Sequence, residues 1–257
     1  MNTTDAITRG TSNRLRVYNA AAALLHLLQA VTVLSLTNDF SIPVTAMFLE
    51  GPPGTDPGTL TTLFDFRIGW GVAAFLLMSA AAHLILIMPR IFTWYVGQLE
   101  IRRNYARWIE YSFSSSLMVV IIAMLPGITE VSALVALFGV NASMILFGLV
   151  MEKYEQPGRP SWLSYWFGVL TGSIPWIVIA IYLWSPGSSA QPPAFVYGIF
   201  FSLFLFFNSF ALNMVLQYKR TWRWRNYIFG ENAYIFLSLT AKSLLAWQVF
   251  AGTLVPS

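Results

Sequence analysis

The chain has 257 residues, of which 56% are hydrophobic and 10% charged, with a mean hydropathy of +0.62. Soluble domains carry about 25% charged residues, so most of this chain faces something other than water. Without a single cysteine, neither a disulfide framework nor a thiolate metal site is possible.

Residues 1–16 read as a polar tail (Asp5, Arg9, Arg14, Arg16) that runs straight into the apolar segment 17–37. That segment is too long for the apolar core of a cleaved signal peptide and reads as a retained first span. A helix crosses the hydrocarbon layer with roughly 20 apolar residues. Six further stretches qualify, at 66–88, 105–125, 131–151, 163–184, 194–217 and 233–254. The predicted fold is all-α and integral to a membrane: one seven-transmembrane-helix domain over 17–254, ending in a short segment, 255–257. Breaks carry the expected punctuation at Pro89, Pro126-Gly127, Gln156-Pro157-Gly158, Ser185-Pro186-Gly187 and Gly230. Pro175 falls inside the fifth span, where a kink is tolerated if neighbours satisfy the freed carbonyl. The longest loop, 38–65, holds an extended run from Val44 to Glu50, a turn at Gly51-Pro52-Pro53-Gly54-Thr55-Asp56-Pro57-Gly58, and a Thr/Leu-rich run. This predicts a β-hairpin capping the extracellular face, with an unstructured linker as the alternative. No internal repeat supports an inverted-repeat transporter.

The net charge of +4 is a matter of topology, not of nucleic-acid binding. Twelve of the 15 basic residues fall on one side: Arg9, Arg14, Arg16, Arg90, Arg102, Arg103, Lys153, Arg159, Lys219, Arg220, Arg223 and Arg225. The other side has only Arg67, near the start of the second span, and carries Asp39, Glu50, Asp56, Asp65 and Glu130. The positive-inside rule puts the N-terminus in the cytoplasm and the C-terminus outside a cell membrane. The lipid bilayer is the first partner.

An ionisable side chain at mid-span costs about 2.5–3.5 kcal/mol on insertion scales. Lys242 is the clearest case, roughly 15 Å from either end of its span at 1.5 Å per residue. Either it pairs with a buried acid for packing, or its amine is used covalently, as lysines in apolar pockets are in Schiff-base chemistry. Glu110 is the carboxylate well inside another span, and pairing it with Lys242 would remove two unpaired charges at once. The alternative ties Glu110 to Arg107 near the interface. Ser238 and Ser114, one turn from Lys242 and Glu110 respectively, either bridge the pair or bond back to their own helices. His26 and His83 lie in the first two spans, as ordinary buried histidines or as a polar cavity that stores a proton. No third ligand supports a metal site. Aromatics crowd the fifth and sixth spans, including Trp166, Trp176, Phe204, Phe207 and Phe210, and some can wall a flat apolar ligand. Small residues (Gly69, Gly71, Ala73, Ala74, then Ser79-Ala80-Ala81-Ala82) permit close helix approach.

A lysine in the seventh span with Arg107-Trp108-Ile109-Glu110-Tyr111 in the third resembles microbial-type rhodopsins. The reversed topology and several long strings resemble heliorhodopsins in particular. These strings are Arg107 to Ser112 with Ser114-Ser115-Ser116, Phe138 to Gly148, Ser202 to Leu212, and Ala241-Lys242-Ser243 followed by Ala246-Trp247-Gln248. The resemblance covers essentially all seven spans. It implies all-trans retinal held as a protonated Schiff base on Lys242, with Glu110 as counterion and His26 and His83 in a nearby polar cavity. It also implies Asn141, Met144, Trp166 and Phe207 as pocket residues, a homodimer and a slow photocycle. Ser238 stands where ion-pumping relatives place a second aspartate, so one carboxylate replaces a pair.

The leading expectation is therefore a light-sensing photoreceptor, not an enzyme. It would signal to an unidentified cytoplasmic partner, with the basic loop Lys219 to Arg225 as a candidate surface. A light-driven or light-gated ion or proton transporter is the runner-up, and a retinal-free transporter or scaffold the third reading. Transport would need a polar path from Glu110 to both faces, whereas the extracellular half below Lys242 reads as largely apolar.

Overall fold

The computed structural model describes residues 7–55, 58–184 and 191–254. Asp5, Asp56, Ser185-Pro186-Gly187 and the segment 255–257 lie outside the described residues. The elements run α1 (Arg9–Leu36), β1 (Ser41–Met47), β2 (Leu60–Arg67), α2 (Ile68–Ile87), α3 (Pro89–Glu100), α4 (Tyr105–Met124), α5 (Val131–Tyr154), α6 (Leu163–Leu183), α7 (Ala194–Tyr218) and α8 (Tyr227–Val249). A 3-10 turn (Trp222–Arg225) precedes α8 and a π turn (Phe250–Leu254) ends it. Among the described residues, α1, α2, α5, α6, α7 and the α8 segment are long and apolar enough to cross a membrane. The remaining member of the seven-helix bundle, α4, is more polar because it carries Arg107, Glu110 and four serines, and it turns Arg107, Ser112, Ser114 and Ser116 into the interior. It packs against α2, α5, α6 and α7.

Three elements differ from the sequence expectation, one of them α8, which begins at Tyr227 and holds Gly230 within the helix and not at a break. The first helix begins at Arg9, capped by the Thr8 hydroxyl accepting from the Thr11 N–H, so half of the polar tail is helical. The segment after the second span is no loop but the helix α3, which starts on Pro89 at its first turn, where a missing N–H costs nothing. Phe92, Tyr95 and Leu99 form its buried stripe against Leu15, Leu86 and Tyr227, and Arg16 stacks 4.3 Å above the Phe92 ring.

The 38–65 segment does form a hairpin. β1 and β2 pair antiparallel from Ser41↔Arg67 to Met47↔Leu60, with a bulge between Val44 and Thr45. Gly54 takes φ +96 in the turn, a conformation that favours glycine. The hairpin is docked, not loose. The Thr45 N–H donates to the Thr129 carbonyl between α4 and α5 at 2.9 Å, and the Asn38 N–H and side-chain amide donate to the carbonyls of Leu254 and Thr253 at 3.3 and 3.0 Å.

From the middle of the bundle to the hairpin end the core is apolar. Val72, Phe75, Leu76, Met118, Ile121, Ile122, Leu245 and Val249 are fully buried there in one cluster. Helices α4 and α5 approach closely where Gly148 faces the Trp108 ring: a Cβ on Gly148 would sit 2.4 Å from it. The ring cannot easily yield, because its Nε1 donates to Glu152 at 2.6 Å. Gly148→Ala is therefore expected to destabilise the bundle by about 1–3 kcal/mol. Gly97→Ala in α3, where a Cβ meets nothing within 4 Å, should be neutral or gain up to about 1 kcal/mol in helix propensity. Thermal unfolding midpoints of the two variants in the same detergent check the opposite signs.

Candidate functional site

Three helices bring the central charges together. Lys242 lies about two-thirds along α8, Glu110 between one and two turns into α4, and Ser79 just past the middle of α2. The Lys242 Nζ donates to both Glu110 oxygens, at 2.8 and 3.1 Å, and to the Ser79 hydroxyl at 2.6 Å. Ser79 in turn donates to Glu110 Oε1 at 2.6 Å. The result is a closed triangle with the lysine and glutamate side chains only 4% and 10% exposed. Pairing removes two isolated charges from a medium that solvates neither, and deleting one partner of such a pair typically costs about 3–5 kcal/mol. Lys242 also stands 5.0 Å from the centre of the Tyr111 ring.

The hydroxyl that bridges the pair is Ser79, which sequence reading placed only in a run of small residues. Ser114 and Ser238 are both buried beside it, Ser114 against Glu110 and Ser238 against Tyr111, yet neither completes a hydrogen bond of ordinary geometry. Their signal was positional, one turn along the same helix, and Ser79 had no such signal because it comes from a third helix.

His26 and His83 stack with ring centres 6.0 Å apart and planes within 10°. His83 Nδ1 shares a hydrogen bond with Asn19 Oδ1 at 2.7 Å, and Asn19 donates to the Leu15 carbonyl at 2.8 Å. Both ring nitrogens of the fully buried His26 lack a hydrogen-bond partner among the described residues. His83 follows Ser79 by one turn of α2, so this polar group adjoins the triangle on the side away from the hairpin.

Two adjoining cavities lie on the other flank of Lys242. A narrow one of about 50 Å³ is lined by Lys242, Ala241, Ser238, Tyr111, Ser115 and Met118. It shares Tyr111, Met144, Ile145, Phe207 and Phe210 with a larger cavity of about 390 Å³ between α5, α6 and α7. Trp176 dominates the larger wall, edge-on to Phe200, Phe204 and Phe207 at 5.4–5.5 Å. Gly172 leaves room for Met144 in that wall: a Cβ there would lie 2.4 Å from the Met144 sulfur and make the flexible side chain shift. A slender apolar chain attached at the Lys242 nitrogen and broadening away from it fits this lining. Met144 and Phe207 line both cavities and Trp166 lines the larger one, itself 63% exposed. Asn141 lines neither. It donates to Ser115 and Ser116 at 2.9 and 3.1 Å, fixing the serine face of α4 behind the narrow cavity.

Arg107 does not pair with Glu110. Its guanidinium bridges Glu152 of α5, at 2.9 Å, and Glu231 of α8. Glu231 escaped sequence reading because the last span was started at residue 233, whereas α8 begins at Tyr227.

Comparison with known proteins agrees with this architecture. A crystal structure of thermophilic rhodopsin superposes over 95% of this chain and 94% of its own, with a TM-score of 0.64 and 14% identity, a likeness that carries the fold alone. No curated protein sequence matches the chain. The family model named Heliorhodopsin matches residues 15–254. Spanning all seven transmembrane helices and both partners of the central ion pair, that match makes the chain a member of the heliorhodopsin family.

Proposed function

We propose that this chain is a light sensor that holds all-trans retinal covalently on Lys242, with Glu110 as the counterion. The observation that carries this reading is the placement of the Lys242 nitrogen, 2.8 Å from Glu110, with Lys242 lining a narrow cavity that adjoins an aromatic-walled one. Retinal, when bound there as a Schiff base, supplies visible absorption and a light-driven change of shape. The residues supply the rest. Glu110 holds a proton on the Lys242 nitrogen by its charge, and Ser79 fixes the carboxylate by donating to Oε1. Met144, Phe207 and Trp176 confine an apolar ligand and keep water from its flank. His26 and His83, adjoining the pair, serve as a transient proton store.

Signalling is favoured over transport by the asymmetry around the pair. Polar groups continue from Ser79 through His83 and Asn19 toward the end where the N-terminus lies. Toward the hairpin the layer of Val72, Leu76, Met118, Ile122, Leu245 and Val249 offers no proton acceptor. A pump needs access to both faces. We place the N-terminus in the cytoplasm on the charge asymmetry, which puts the exposed Lys219, Arg220, Arg223 and Arg225 on the side where a soluble partner would dock. A homodimer in the bilayer is part of the same proposal.

Purified protein expressed with all-trans retinal is expected to show a visible absorption band that Lys242→Ala lacks; no band in either folded protein would remove the retinal reading. Glu110→Gln is expected to move the band to the red, because the carboxylate stabilises positive charge at the nitrogen more in the ground state than in the excited state. An unmoved band would assign the counterion elsewhere. In illuminated proteoliposomes, no persistent pH change should appear, and a sustained, ionophore-sensitive one would establish the transporter reading instead.

A further inference from the structure

At the end of the bundle opposite the hairpin, the last turns of α3, α5 and α7 and the first turn of α8 surround a polar cavity of about 610 Å³. The light-sensing reading makes no use of it. Its inner wall holds Gln217 and Tyr218, each only 4% exposed, and its more open side holds Arg102, Arg103 and Lys153.

Three carboxylates also line the cavity, and each is already engaged. Glu152 pairs with Arg107 and accepts from the Tyr227 hydroxyl, the Asn104 backbone N–H and Trp108 Nε1. Glu100 accepts from the Ile7 N–H at 3.3 Å, and Glu155 from the Trp162 N–H at 3.1 Å. Two of the cations are not matched in this way. Among the described residues neither Arg103 nor Lys153 forms a salt bridge. The Arg103 guanidinium reaches only the Lys153 carbonyl, at 3.5 Å, which holds it against the backbone that carries the lysine. Deeper in, the Tyr218 hydroxyl has no hydrogen-bond partner among the described residues. Gln217 spends one amide N–H on the Tyr227 carbonyl, at 3.3 Å, and its Oε1 accepts nothing.

Unpaired cations at the opening and unspent polar groups at the buried wall describe a site for a polar anion. A guanidinium fork beside an ammonium is a donor set suited to phosphate. Two positive charges match a phosphomonoester, which carries about −1.5 to −2 at pH 7, better than they match one carboxylate. We propose that this cavity binds a phosphomonoester, its phosphate at Arg103 and Lys153 and a hydroxyl-bearing body against Tyr218 and Gln217. The same group has two sources at a membrane face, a soluble phosphorylated polyol or the headgroup of phosphatidic acid.

Titration calorimetry of the full-length protein with glycerol 3-phosphate, in nanodiscs of phosphatidylcholine, tests the site without depending on the chromophore. Saturable binding is expected. It should weaken about tenfold or more in Arg103→Gln and in Lys153→Gln, each of which removes a charge-assisted contact, and about threefold to tenfold in Tyr218→Phe. Arg90→Gln removes an exposed charge from the same end but outside the cavity, and should leave the affinity unchanged. Lys153 is itself exposed, so its variant tests the site even where Arg103→Gln fails to fold. No saturable binding, or a loss in Lys153→Gln no larger than that in Arg90→Gln, overturns the proposal. Phosphatidic acid added to the nanodiscs separates the sources: glycerol 3-phosphate binding that is then lost assigns the site to the lipid headgroup, and binding that persists assigns it to a soluble phosphate.

Discussion

A lysine ammonium in the middle of a bilayer has no water to solvate it, and the arrangement of this bundle follows from that constraint. Lys242 on α8 requires an anion from a different helix, and Glu110 on α4 supplies it. Two charges alone would still leave lone pairs unfilled, and Ser79 on α2 closes the gap by accepting from one partner and donating to the other. Three helices are thereby held at fixed height and rotation. The apolar layer toward the hairpin then needs no polar device, and the polar groups collect on the opposite side.

The two buried clusters solve the same problem differently. The Lys242–Glu110 pair is balanced in charge and opens onto an apolar cavity, so its nitrogen has a neighbouring space in which to carry a ligand. The Arg107 cluster is unbalanced by one charge and opens onto a polar cavity. Arg107 takes two carboxylates in its planar fork while its face stacks 3.9 Å from the Tyr234 ring and 4.4 Å from Trp108, a use of both faces and edges that lysine cannot copy.

The spans were legible because the hydrocarbon thickness demands about 20 apolar residues, and six of the seven helices meet that demand by composition alone. The pair Lys242 and Glu110 was legible for the opposite reason, as charges in a place that charges avoid. Helix α3 was not, since twelve residues with three arginines nearby in the segment look like a polar connection, and its stripe of Phe92, Tyr95 and Leu99 becomes meaningful only once Leu15 and Tyr227 are seen beneath it. Ser79 was hidden because a serine among alanines gives no directional signal. The pairing of Arg107 with Glu231 was obscured because α8 begins six residues before the predicted span, which left a buried carboxylate outside the membrane on paper. Spacing along one helix was readable throughout, and contacts between helices far apart in sequence were not.

The hairpin stiffens the end of the molecule that it covers. By bonding at Asn38 to the last turn of the chain and at Thr45 to the corner between α4 and α5, it laces helix ends that are distant in sequence into one rim. A displacement that starts at Lys242 meets resistance in that direction, because α8 is tied there through Thr253 and Leu254. At the other end α7 and α8 are joined by a short basic turn, with Arg220 and Trp222 both in left-handed backbone conformations, and among the described residues no strand crosses it.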